Sequence, residues 1–144
     1  MIHSDTIKLL RECNAGIKMG VASIEDVVDH VKDSGMYNIL NKSREDHNAL
    51  GSKTRQLLND YDDSGKEPNP LAKGMSKMKT SFKLTVNDTD AAIADLMTDG
   101  CNMGVKSLSK YLNQYAAAEE QVKDIAKKLI KIEEQLSVDM RSFL

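Results

Sequence analysis

Tryptophan is absent from this chain, and its 144 residues include only two prolines, two cysteines and six aromatic side chains. Two cysteines cannot build the disulfide framework of a small secreted domain, so they read as reduced thiols in a cytosol. No run of about 18 apolar residues occurs, which excludes a membrane-spanning helix. The opening "MIHSDTIKLL" has no basic segment leading into an apolar one, so no signal peptide is expected and the expected location is cytoplasmic. Charge of one sign is lacking too. A formal net charge of -2 gives no reason to expect nucleic acid as partner. No Gly-rich phosphate loop, HExxH motif or plausible Ser-His-Asp set is visible.

What is present is Ala, Leu, Lys, Glu, Asp and Met, a composition that suits helices. At this length the chain fits a single domain, residues 1–144, able to bury about two-thirds of its unfolded surface. Apolar residues recur at steps of three and four in four segments, the mark of amphipathic helices in a bundle. The first stripe is Leu10, Cys13, Ile17, Gly20, Ile24, Val27 and Val31, closed by Gly35 as a C′ glycine. The second is Met36, Leu40, Ser43, His47, Leu50, Thr54, Leu57 and Tyr61, antiparallel to the first because the connection is short. Turn chemistry from Asp62 to Pro70 follows, then a short basic helix with Leu71, Met75, Met78 and Phe82 on one side. Asn87 or Asp88 is the expected N-cap of the third helix, which carries Ile93, Met97, Gly100, Gly104, Ser107 and Tyr111. The fourth starts near Ala117 with Val122, Ile125, Leu129, Ile132, Leu136, Met140 and Phe143. The layout is hairpin, long crossover, hairpin.

One word occurs twice. "GIKMGVASI" (Gly16 to Ile24) returns as "GCNMGVKSL" (Gly100 to Leu108), in the middle of the first and third helices. Glycine inside a helix costs about 1 kcal/mol relative to alanine. Gly16, Gly20, Gly100 and Gly104 therefore predict a close crossing of these two helices, glycine against glycine, about a pseudo-twofold axis near Lys18 and Asn102. The same arrangement predicts that Cys13 and Cys101 lie apart along the bundle, with no disulfide.

Two such hairpins joined by a long crossover resemble the ferritin-like four-helix bundle. The segments "LLRECNAGIKMGVASI", "GKEPNPLAKGMSKMK", "DGCNMGVKSLSKYLNQY" and "VDMRSFL" more closely resemble a family of small ferritin-like bacterial proteins, described mainly from clostridia, for which no activity is established. The resemblance implies the fold. The wider superfamily often holds two iron or manganese ions, using a Glu from each of two helices and Glu-x-x-His from each of the others. Here Glu12 suits the first helix, but Arg44 stands three residues before His47. Leu96 occupies the position symmetric to Glu12, and the fourth helix offers Glu133 without a histidine. Asp46 is close to His47 in sequence, and Asp99 lies near the third stripe but off it. At most half of that site survives.

The leading expectation is thus an all-α, ferritin-like bundle acting without catalysis as an interaction or structural module, with no cofactor, a protein partner and homodimerisation along a long helix face. The alternative is an iron or manganese protein using Glu12, His47, Glu133 and Asp46 or Asp99. His47 is otherwise a core-edge histidine bonded to Ser43 one turn earlier or to a carboxylate across the bundle. Asp60, Asp62 and Ser64 open like a calcium loop but continue into prolines, which makes a turn. The lysines from Lys73 to Lys83 suggest, as a weaker reading, an anionic surface.

Overall fold

The computed structural model describes residues 2–61, 63 and 89–144. Among the described residues the chain is all-helical, with four long helices and no strand. These are α1 (Ile2–Val27), α2 (Ser34–Asp60), α3 (Asp90–Gln114) and α4 (Glu120–Met140), with single 3-10 turns at Val28–His30 and Arg141–Phe143. At 1.5 Å per residue each long helix spans about 30–40 Å.

The caps show how the ends are held, and two differ from expectation. Gly35 is no C′ glycine: α1 stops earlier, and Gly35 sits in the first turn of α2, whose N-cap Asp33 accepts a hydrogen bond from the Met36 amide at 2.9 Å. At the start of α3 the cap is Thr89, accepting from the Ala92 amide at 3.1 Å. Asp90, in the first turn of α3, accepts from the Lys32 and Asp33 amides, both at 2.9 Å. It thereby helps to satisfy the unpaired donors at the start of α2. The mirror arrangement exists at the other end. There Thr6 of α1 accepts from the amide of Glu119, the N-cap of α4, at 2.9 Å, and Asp5 accepts from the Ala117 amide at 3.2 Å.

These bonds fix the helix directions. The start of α1, the end of α2 and the start of α4 share one end of the bundle, where Arg11 also pairs with Asp63 at 2.6 Å and Tyr61 donates to Glu119. The end of α1 and the starts of α2 and α3 share the other. Packed neighbours are α1 with α2, α2 with α4, α4 with α3 and α3 with α1, and α1 also meets α4 across a diagonal. Apart from Asp63, the expected turn at Asp62 to Pro70 falls outside the described residues, as do the apolar positions Leu71, Met75, Met78 and Phe82 and the lysine series.

Two apolar clusters fill the interior. The first contains Leu9, Leu10, Cys13, Ile17, Leu108, Val122 and Leu129; the second contains Ile24, Met36, Leu40, Ile93, Met97, Cys101 and Leu136. Burial recurs between hairpins. Leu9, Leu10, Cys13, Ile17 and Ile24 are buried, as are Ile93, Ala94, Met97, Cys101 and Leu108, each 84 residues later. Met36, Leu40, Ser43, His47 and Leu50 are buried, as are Val122, Ala126, Leu129, Glu133 and Leu136, each 86 residues later. Thr6 and Asp90, and Asp33 and Glu119, stand at the same two spacings.

Candidate functional site

Between the two clusters lies a polar layer. His47 of α2 is fully buried and Glu133 of α4 is 8% exposed. His47 Nε2 lies 2.9 Å from Glu133 Oε1, and His47 Nδ1 lies 2.7 Å from the Ser43 carbonyl oxygen. A carbonyl only accepts, so Nδ1 carries a hydrogen and donates it to Ser43. The 2.9 Å contact then needs one further proton, shared between imidazole and carboxylate. Burial pulls the imidazole toward its neutral form. The hydrogen bond and charge of Glu133, the Ser43 carbonyl and the charge of Asp46 together outweigh it, and the His47 pKa is raised above 6.5. Below that raised pKa the shared proton rests on the imidazole, which then faces Glu133 as a cation.

The repeated glycines are placed against this pair. A Cβ added at Gly20 would lie 2.5 Å from His47 Nε2, 2.7 Å from Cδ2 and 3.3 Å from Glu133 Oε1. One at Gly104 would lie 3.6 Å from Glu133 Cδ. Gly16 faces Leu129 at 3.5 Å, and at Gly100 a Cβ would meet nothing within 4 Å. The expected glycine-against-glycine contact is thus corrected in its particulars. Although α1 and α3 do pack together, Gly20 and Gly104 leave room for His47 and Glu133, and close approach does not explain Gly100.

From α3, Cys101 approaches Glu133. Its thiol pKa is raised by burial, by the charge of Glu133 and by a hydrogen bond to it. Cys13, in the other apolar cluster, is pushed up to about 12, by burial first and then by the charge of Glu12. Both cysteines are free and buried, held as thiols and not as nucleophilic thiolates.

The other expected ligands do not join His47 and Glu133. Asp46 is ion-paired with Lys42 at 2.6 Å, Asp99 is exposed, and Glu12 is half-buried on α1. Among the described residues, no group of three or more His, Cys, Asp or Glu side chains could hold a metal ion. A ferritin-type pair of iron or manganese ions needs bridging carboxylates and a nitrogen donor on each side. One imidazole with both nitrogens engaged and one adjacent carboxylate do not fit such a centre.

Reading along the sequence alone misses Glu133 as a core group, because Ile132 completes an apolar stripe equally well. The available signal is the step from Leu129 to Glu133 to Leu136, the rhythm of Ser43, His47 and Leu50. No family model matches the chain, and no curated protein or solved structure does either. No described helix is long and apolar enough to cross a membrane.

Proposed function

We propose that the chain is a ferritin-like bundle that works without catalysis, as an interaction or structural module. Its two hairpins are related by a pseudo-twofold axis, and the crossover between them spans residues 64–88. Three kinds of fact support this topology: the antiparallel neighbours, the ends at which α2 stops and α3 starts, and the recurrence of burial and trans-capping at fixed spacings. A crossover of that length can reach, since an extended chain covers about 3.3 Å per residue and the bundle is about 40 Å long.

One observation carries the functional reading. The middle of the bundle, where this superfamily often places its metals, is filled by an imidazolium–carboxylate pair sharing one proton and flanked by Gly20 and Gly104. An ion pair that satisfies itself has little to offer a metal, and the remaining carboxylates lie elsewhere.

The test is metal content by mass spectrometry on untagged protein, repeated after anaerobic addition of Fe(II) and Mn(II) and desalting. The expected result is no retained metal. Near-stoichiometric metal that disappears in His47→Ala would overturn the reading in favour of an iron or manganese protein.

A further inference from the structure

The pair has a second property, which comes from where it sits. It ties α2 to α4, and Ser43, whose carbonyl anchors the ring, also lines a groove of about 400 Å³ between the same two helices. Ile39, Ile132 and Leu136 line the groove, and Lys42 and Asp46 lie along it. The groove thus reaches the residue whose carbonyl anchors the buried pair.

We infer that the proton between His47 and Glu133 is a latch on the α2–α4 seam, and that its loss opens the seam to water from the groove beside Ser43. With the proton present the layer is neutral overall and each partner is bonded. Without it, Nε2 of a neutral ring has no hydrogen to give, and Glu133 loses that donor while its charge stays buried beside the Cys101 thiol. An uncompensated buried carboxylate is costly and is relieved by hydration.

Among the described residues, the charged groups that act on the ring are Glu133 from α4 and Asp46 from its own helix, and from α3 the Cys101 thiol bonds to Glu133. From α1 there is the bare α-carbon of Gly20. The sign is set by the direction in which His47 is shifted. A histidine raised above 6.5 contributes stability that is complete below that value and is lost as pH rises through its folded pKa. The latch is closed below the folded pKa of His47 and opens as pH rises through it.

The cysteines supply the readout, because Cys101 lies beside the pair and Cys13 in the opposite apolar cluster. The intact chain, with a chelator present, is pulsed with a thiol-alkylating reagent from about pH 6 to about pH 9.5, and labelling at each cysteine is read by mass spectrometry. Taking the ratio of Cys101 to Cys13 removes the reagent's own pH dependence. The ratio is expected to rise by up to about tenfold per pH unit where the shared proton leaves. It is expected to stay flat over the alkaline range in Glu133→Gln. A pH-independent ratio in the unmodified chain, or the same rise in Glu133→Gln, would overturn the inference. Should Glu133→Gln fail to fold, the His47 Cε1–H resonance is titrated in the unmodified chain. Its midpoint must coincide with the rise in the ratio, and a ring that titrates elsewhere refutes the latch.

Discussion

Substituting alanine for Gly20 adds one methyl group, and the structure gives that methyl no room. Its carbon would stand 2.5 Å from His47 Nε2 and 2.7 Å from Cδ2, about 1 Å inside ordinary contact. The ring cannot move aside cheaply, being bonded to Ser43 on one edge and Glu133 on the other, with no exposed surface. Relief therefore comes from parting α1 from the ring or from breaking the 2.9 Å bond. Overpacking of this kind costs about 1–3 kcal/mol, and a broken buried pair about 3–5 kcal/mol. Helix propensity returns about 1 kcal/mol. The net expectation for Gly20→Ala is a loss of up to about 2 kcal/mol if the helices part, and of about 2–4 kcal/mol if the pair breaks. At roughly 2–4 °C per kcal/mol for a chain of this size, Tm falls by up to about 15 °C. The other three glycines are controls. Gly100→Ala meets open space on an exposed position and should gain about 1 kcal/mol. Gly16→Ala and Gly104→Ala enter ordinary contacts and should fall between. Urea and thermal melts of the four variants give the order. The reasoning also demands coupling: in a His47→Ala background the penalty of Gly20→Ala should shrink to below about 1 kcal/mol. Equal effects at Gly20 and Gly100, or an undiminished penalty without the ring, would refute it.

Two further outcomes follow from the ends and the thiols. Thr6→Val and Asp90→Ala each remove an acceptor that a neighbouring helix start depends on; each should cost about 0.5–2 kcal/mol in urea melts, and neutrality at both would mean that the trans-caps add nothing. At neutral pH both cysteines should alkylate at least about a hundredfold more slowly in the folded chain than in urea, because burial holds each as a thiol. Rapid modification of the folded chain at that pH would show that the two clusters are not closed.

Four helices were legible because three- and four-residue spacing is what a helix buried on one side imposes, and the observed cores of α1 and α2 follow it nearly residue by residue. The ends were less legible. Asp90 and Thr6 each serve a helix distant in sequence, and a trans-cap leaves no local pattern to read. Gly35 illustrates the same limit: a glycine between two helices suits the end of one or the start of the next, and Asp33, by capping Met36, decides it. The site was half legible. His47 announces itself as an ionisable residue on an apolar stripe, whereas Glu133 is hidden among Glu134 and Gln135 with Ile132 competing for the inward position. The repeated glycines point in sequence to one another and not to His47 and Glu133, since a sequence shows that room is needed but not which side chain fills it.

Why both copies of the word should keep the glycine corresponding to Gly20 is explained if the two hairpins are equivalent. Under the proposed axis Gly20 corresponds to Gly104, and His47 to Glu133, which stands 86 residues later on the equivalent buried face. Either glycine could then shelter a ring, and the sequence places the ring on α2. This makes a charge exchange informative. His47→Glu alone sets two carboxylates face to face, and Glu133→His alone sets two imidazoles; each should cost about 3–5 kcal/mol, as for a buried pair with one partner lost. The double variant restores opposite charges. The new ring at 133 would lie over Gly104, where a Cβ would be 3.6 Å from the present carboxyl carbon, with the carbonyl of Leu129 one turn earlier to take its Nδ1 hydrogen as Ser43 does now. The double variant should recover at least half of the summed loss in urea melts, a coupling well beyond simple additivity. A double variant as unstable as the two singles combined would mean that the halves are alike in burial only, and that the polar layer fits one orientation of the pair because of side chains outside the repeated word.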